Sequence, residues 1–190
     1  MLLDAHKKYR IERAKKISKK LTHFSIFDAY EHSKQYTTKG DTISRFHLAR
    51  YMVDSGVVKD ISKAFKYYLS KGKKAYVSPK WCSIEKAVSI IHLAGGQAVL
   101  AHPMRYDFPC TKLRNLFNEF KQAGGDAIEI SQSGQTEMTQ YSLENYAIEY
   151  EFLGSQGSDF HRLGHYFDLG DIRPFSHTIK PIWHDWPLFL

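Results

Sequence analysis

The spacing of hydrophobic and polar positions divides the chain near residue 72. Before that point the apolar residues recur at helical intervals. Ala14, Ile17 and Leu21 fall on one face of a first helix. Ser25 precedes an apolar run and has Asp28 three residues on, a spacing like that of a capping box, which predicts a helix start there. Ser44 opens a further segment whose stripe is Leu48, Tyr51 and Met52, and Gly56 closes it. Ile61, Ala64, Phe65, Tyr68 and Leu69 follow the i, i+3, i+4, i+7, i+8 rule, ended by Gly72.

From residue 75 the rhythm changes. Ile84, Ala87, Val88 and Ile91 mark a helix stopped by Gly95 and Gly96, and "QAVLAHP" then reads as a short buried strand ended by Pro103. Leu113, Leu116, Phe117 and Phe120 mark the next helix, stopped by Gly124 and Gly125, and "DAIEIS" the next strand. Thr136 caps a helix to about residue 150, and "EFLGSQGSDFH" is the third strand. Helix and strand alternating in this way predict parallel α/β units. The aromatic tail "KPIWHDWPLFL" is expected to pack on that domain.

Composition narrows the class. With 190 residues and 43% hydrophobic content the chain can bury a real core. Its apolar runs fall far short of the roughly 20 residues of a membrane-spanning helix, and its basic first 24 residues do not resemble a signal peptide. Cys82 and Cys110 stand in no C-x-x-C pattern, which argues against a disulfide framework and against a cysteine zinc site. The expectation is a soluble cytoplasmic chain of bacterial type with no membrane partner. Net charge is +7, concentrated in Lys7, Lys8, Arg10, Arg13, Lys15, Lys16, Lys19 and Lys20 and again in Lys71, Lys73 and Lys74. Such a balance suits phosphate, nucleotide or nucleic acid, although a solvated helix face explains the first run equally well.

In parallel α/β folds ligands gather at the carboxyl ends of the strands. Those ends read His102-Pro103 with Arg105 just behind, then Ser131 and Ser133, then Asp159 and His161. Asp159 and His161 lie two apart, so an extended backbone turns both side chains to one side. A set of His102, Asp159 and His161 suits Zn²⁺, Mn²⁺ or Fe²⁺ better than Ca²⁺. The three make only a partial hydrolytic centre, because two-metal chemistry needs further carboxylates and imidazoles.

Taken in order, "RIERAKKI", "ISRFHLARYM", "AFKYYLSKGKKAYV", "GGQAVLAHPMRY", "GGDAIEI" and "GSDFH" resemble the polymerase-and-histidinol-phosphatase (PHP) family. The likeness is to its branch of RNase AM proteins and 3',5'-nucleoside bisphosphate phosphatases, and it covers residues from about 5 to 183. The resemblance implies a distorted (β/α)7 barrel, present here in part (73–190), with a helical insertion over its rim as a lid (1–72). It implies metal-dependent hydrolysis of RNA 5' ends or of small bisphosphates. Mn²⁺ is the expected metal, up to three divalent ions in the complete fold, with Mg²⁺, Zn²⁺ or Fe²⁺ as alternatives.

On that analogy His102, Asp159 and His161 each serve a metal, and Asp159 also accepts the proton of the attacking water. Arg45, His47 and Arg105 meet substrate phosphate. Ser131 and Ser133 are weaker candidates, because "SQSGQT" departs from the His-containing stretch of the family. His165, His177 and His184 read as surface residues. Trp81 reads as lid packing, with base stacking as the alternative. The family's H-x-H, S-D-G and T-D-H motifs and its later Glu and His ligands do not occur in these 190 residues. The expectation is therefore a carboxyl-terminal two thirds of a family member, inactive or nearly so alone, for which a separate N-terminal segment is a candidate partner. The alternative is a non-catalytic fragment that binds RNA weakly.

Overall fold

The computed structural model describes residues 2–37, 42–160 and 168–187. They form two units, residues 1–81 and 82–190. Each has its own apolar core.

The first unit is helical. Helix α1 (Leu2–Leu21) lays Ala14, Ile17 and Leu21 into the core, where each is almost wholly buried. Helix α2 (Ala29–Ser33) begins later than its capping spacing predicts. Ser25 closes a short 3₁₀ turn in the left-handed region (φ 59°), and Asp28 holds the N-cap position, also left-handed, without a side-chain bond to the helix. The local Ser-x-x-Asp pattern therefore lost to the turn that brings Ile26, Ala29 and Tyr30 inward. Helix α3 (Arg45–Asp54) starts at Ser44, and its Leu48 and Met52 are fully buried. Helix α4 (Ile61–Ala64) runs on through a π-helical turn, Phe65–Leu69, which ends in buried Leu69.

Residues 76–78 run antiparallel to α1 and are fastened to it by three side chains. Tyr9 donates to the Ser78 carbonyl (3.3 Å), Arg13 to that of Val77 (2.8 Å) and Lys20 to that of Tyr76 (2.8 Å).

The second unit is an α/β layer. Helix α5 (Ile84–Leu93) leads to strand β1, which is only Val99–Leu100. Helix α6 (Cys110–Gln122), strand β2 (Ala127–Gln132), helix α7 (Glu137–Glu149) and strand β3 (Leu153–Gly157) follow. The strands lie in chain order and pair parallel. Such strands cannot be joined by a tight turn, so α6 and α7 serve as the crossovers. Phe117, Ile128, Ile130 and Leu143 fill the space between helices and sheet. Thr136 caps α7 through the Thr139 N–H, as its position predicts.

The tail packs as expected within residues 168–187. Ile179 and Ile182 are buried, Pro181 bridges Gly154 on the open side of β3, and Trp186 donates to Gln97 (2.7 Å). Cys82 and Cys110 are both free thiols. No helix among the described residues is long and apolar enough to cross a membrane.

Candidate active site and anion pocket

Parallel pairing puts the carboxyl ends of β1, β2 and β3 on one edge, and the candidate chemistry of the second unit collects there. His102 follows β1 in a left-handed conformation (φ 34°), and Asp159 follows β3 in another (φ 52°). Positive φ is uncommon outside glycine, although Asp and His tolerate it better than most residues, and such conformations concentrate at functional sites.

Glu129 of β2 ties the edge together. Its carboxylate accepts the His102 backbone N–H (2.6 Å). Burial pushes the Glu129 pKa up. The His102 bond pulls it down, the nearby Asp159 charge adds to the rise and Arg105 opposes it. A Cβ at Gly157 would stand 3.1 Å from Glu129 Oε1, so the bare backbone there leaves room for the carboxylate.

The His102 ring packs edge-on against Tyr106, whose hydroxyl is fixed to the Ala101 carbonyl (2.7 Å). The Nδ1 of His102 is buried and meets no partner among the described residues. A buried ring nitrogen with no bond costs desolvation unless something binds it. That atom fits a metal, and so does the nearby carboxylate of Asp159. Among the described residues, however, no group of three or more His, Cys, Asp or Glu side chains is arranged to hold one. His161 and His165 lie outside the described residues.

The structure places Arg105, Ser131 and Ser133 in bonds within the edge. Arg105 forms an ion pair with Asp159 and donates to the Ser133 carbonyl (3.3 Å), so its fork is turned to a carboxylate within the edge. Ser131 and Ser133 are buried, and their hydroxyls donate to the carbonyls of Arg173 and Asp171. They anchor the 171–173 stretch. Glu129 is the residue that sequence reasoning missed. It sits mid-strand among apolar neighbours, and a charged residue inside "AIEI" was the available signal.

The first unit holds a pocket of about 400 Å³. Arg10, Arg13, Arg45, Lys80 and His6 line it, and among the described residues no carboxylate does. Arg45 donates to the Leu69 carbonyl (3.1 Å) and lies over the rings of Phe65 and Tyr76. Burial lowers the Arg13 pKa first, and the charge of Arg45 lowers it further. Two like charges are therefore held near each other on fixed backbone anchors, an arrangement that an anion relieves.

Arg45 lines this cationic pocket, whereas His47 does not. The Nδ1 of His47 is engaged by the Ser44 backbone N–H (3.2 Å). Trp81 is 71% exposed at the pocket wall, its ring 6.3 Å from that of His6. Arg10, Arg13 and Lys80 were visible only as part of a general basic excess.

No family profile matches the chain. It is similar to a 5'-3' exoribonuclease of Haemophilus influenzae, 38% identical over 182 residues, which are 96% of this chain and 66% of that one. It is 37% identical over 177 residues to a 3',5'-nucleoside bisphosphate phosphatase of Chromobacterium violaceum, covering 93% and 62%. The 5'-3' exoribonuclease Rnm of Escherichia coli is 36% identical over 177 residues, covering 93% and 60%.

The chain belongs to the PHP family. It spans about three fifths to two thirds of the length of these PHP relatives, which are named hydrolases. Among solved structures, an amidohydrolase of Chromobacterium violaceum with bound sulfate superposes with a TM-score of 0.85 at 36% identity, over 95% of this chain and 63% of that one. A protein of Bifidobacterium adolescentis, described as a putative metal-dependent phosphoesterase, superposes with a TM-score of 0.73 at 24% identity, over 92% and 62%. The second likeness concerns the fold alone.

Proposed function

We propose that this PHP chain is the larger part of a metal-dependent phosphoesterase acting on RNA 5' ends or on nucleoside 3',5'-bisphosphates. The observation that carries the reading is the pocket where Arg10, Arg13 and Arg45 meet with no carboxylate among the described residues. It suits a terminal phosphate, to which arginine offers a planar two-point fit. Exposed Trp81 and Phe46 offer flat faces to a base at its wall.

In the proposal His102 and Asp159 hold divalent metal together with His161 and further donors, and the two units are a barrel part and its lid. A bound metal, Mn²⁺ by the family resemblance, would supply a low-pKa water and draw charge from the phosphoryl oxygens, and Asp159 would be the carboxylate to accept a proton there. Arg105 holds the Asp159 carboxylate in place and balances its charge. Glu129 fixes the His102 backbone, and so the direction of its ring.

A second reading, RNA binding without turnover, is favoured by the excess of 19 Lys and Arg over 7 Asp and Glu in residues 1–81. Turnover separates the two. The 190-residue chain with Mn²⁺ is expected to release little nucleotide from a 5'-phosphorylated RNA while binding it. Addition of a polypeptide carrying the family's N-terminal motifs should restore cleavage, and Asp159→Ala should abolish the restored activity. Cleavage that survives Asp159→Ala would defeat the assignment of the catalytic edge.

A further inference from the structure

Charge is split between the two units. Residues 1–81 carry 19 Lys and Arg against 7 Asp and Glu, and residues 82–190 carry 8 against 13. The overall +7 thus hides an acidic α/β unit and a helical unit of net +12. The anion pocket uses only part of that excess.

A second groove, of about 560 Å³, lies farther along α1. Lys16, Lys19, Lys20 and His23 line it on one side and Tyr76, Val77 and Ser78 on the other, with no carboxylate. The same two strips of chain wall both cavities: α1 from His6 to Lys20, and residues 76–81. Because 76–78 runs antiparallel to α1, the pocket occupies the N-terminal part of the helix and the groove its C-terminal end. At 1.5 Å per residue, Arg10 and Arg13 lie about 10 to 15 Å along the helix from Lys19 and Lys20. A stacked strand advances about 3.4 Å per nucleotide, so this is the length of about three to four nucleotides.

Not every lysine of the unit is available. Lys15 sits over the Tyr30 ring and Lys74 over Phe24 and Tyr68. Lys20 is held at the groove by the Tyr76 carbonyl, while Lys16 and Lys19 are exposed on its wall.

We propose that this groove is a track for the sugar–phosphate backbone of single-stranded RNA whose terminal phosphate occupies the Arg10–Arg13–Arg45 pocket. The inference rests on the proposed function. It adds that the site favours RNA of several nucleotides over a lone bisphosphate. Cations along one wall contact successive phosphates and release their counterions, which rewards length rather than sequence.

The test measures binding by the 190-residue chain, in chelator so that nothing is cleaved. The ligands are adenosine 3',5'-bisphosphate and 5'-phosphorylated oligouridines of two to eight nucleotides. The octamer should bind at least tenfold tighter than the dimer. In Lys16→Gln/Lys19→Gln, which keeps the Lys20 clasp, most of that gain should vanish while bisphosphate affinity stays within about twofold. The slope of log K against log salt for the octamer should fall by about 1.4, two contacts at about 0.7 each.

Bisphosphate binding with no dependence on RNA length would sink the track and leave the pocket standing. An equal loss of bisphosphate and octamer binding in the double variant would also sink it, as a general charge effect. Displacement of the octamer by polyglutamate at equal charge would replace RNA with an acidic peptide as the partner. Failure of every ligand to bind would overturn the pocket and the track together.

Discussion

The backbone N–H of Ser44 donates to Nδ1 of His47 across 3.2 Å, closing a capping box at the first turn of α3. His47 must be neutral at that nitrogen to accept. Burial, and then the charges of Arg10 and Arg50, hold its pKa below the ordinary 6.5.

That shift gives the helical unit a pH dependence of known sign. The unfolded chain protonates His47 more readily than the folded one, so this contribution is complete above about pH 6.5. It is lost as the pH falls from there through the folded pKa. Urea denaturation at pH 7.5 and pH 5.5 should show the loss. His47→Gln, which keeps an acceptor, should flatten it. His47→Ala should cost about 1 kcal/mol at pH 7.5.

Arg13→Ala and Arg45→Ala should each weaken adenosine 3',5'-bisphosphate binding about 10- to 100-fold, the worth of one or two charged hydrogen bonds. Arg45→Lys should recover little, because an ammonium lacks the fork and the planar face laid over Phe65 and Tyr76. Isothermal titration reads both.

Trp81→Ala should leave inorganic phosphate affinity unchanged and weaken a nucleotide by about 1 to 3 kcal/mol, the range for base stacking on an aromatic. Quenching of tryptophan fluorescence by nucleotide but not by phosphate should disappear with it. Quenching that persists in the variant would assign the signal to Trp183 or Trp186.

Gly154→Ala should destabilise the α/β unit by about 1 to 3 kcal/mol. An added Cβ would stand 2.9 Å from side-chain carbons of Ile130, Phe175 and Ile179. All three sit in or against the core, so none can give way freely. A thermal melt that moves less than the error of the method would show that the tail can be pushed off β3.

Periodicity carried the helices because it reports which face is buried, and that depends on near neighbours in the chain. Ala14, Ile17 and Leu21, the capped start at Ser44 and the capping Thr136 are all where local spacing puts them. Local rules failed at Ser25 and Asp28, where burial of Ile26 and Ala29 chose a left-handed turn over a capping box.

The sequence by itself determined the alternation of helix and strand, and with it the edge on which His102 and Asp159 stand. It also determined the excess of cations in the first 81 residues. What those groups touch was decided only by the tertiary structure. The pairing of Arg105 with Asp159 joins residues 54 apart, and the bond from His102 to Glu129 joins residues 27 apart. The cationic pocket draws on four separated stretches of chain. A charge announces its sign in the sequence, but its partner is whichever group the packing of the apolar faces brings within a few ångströms.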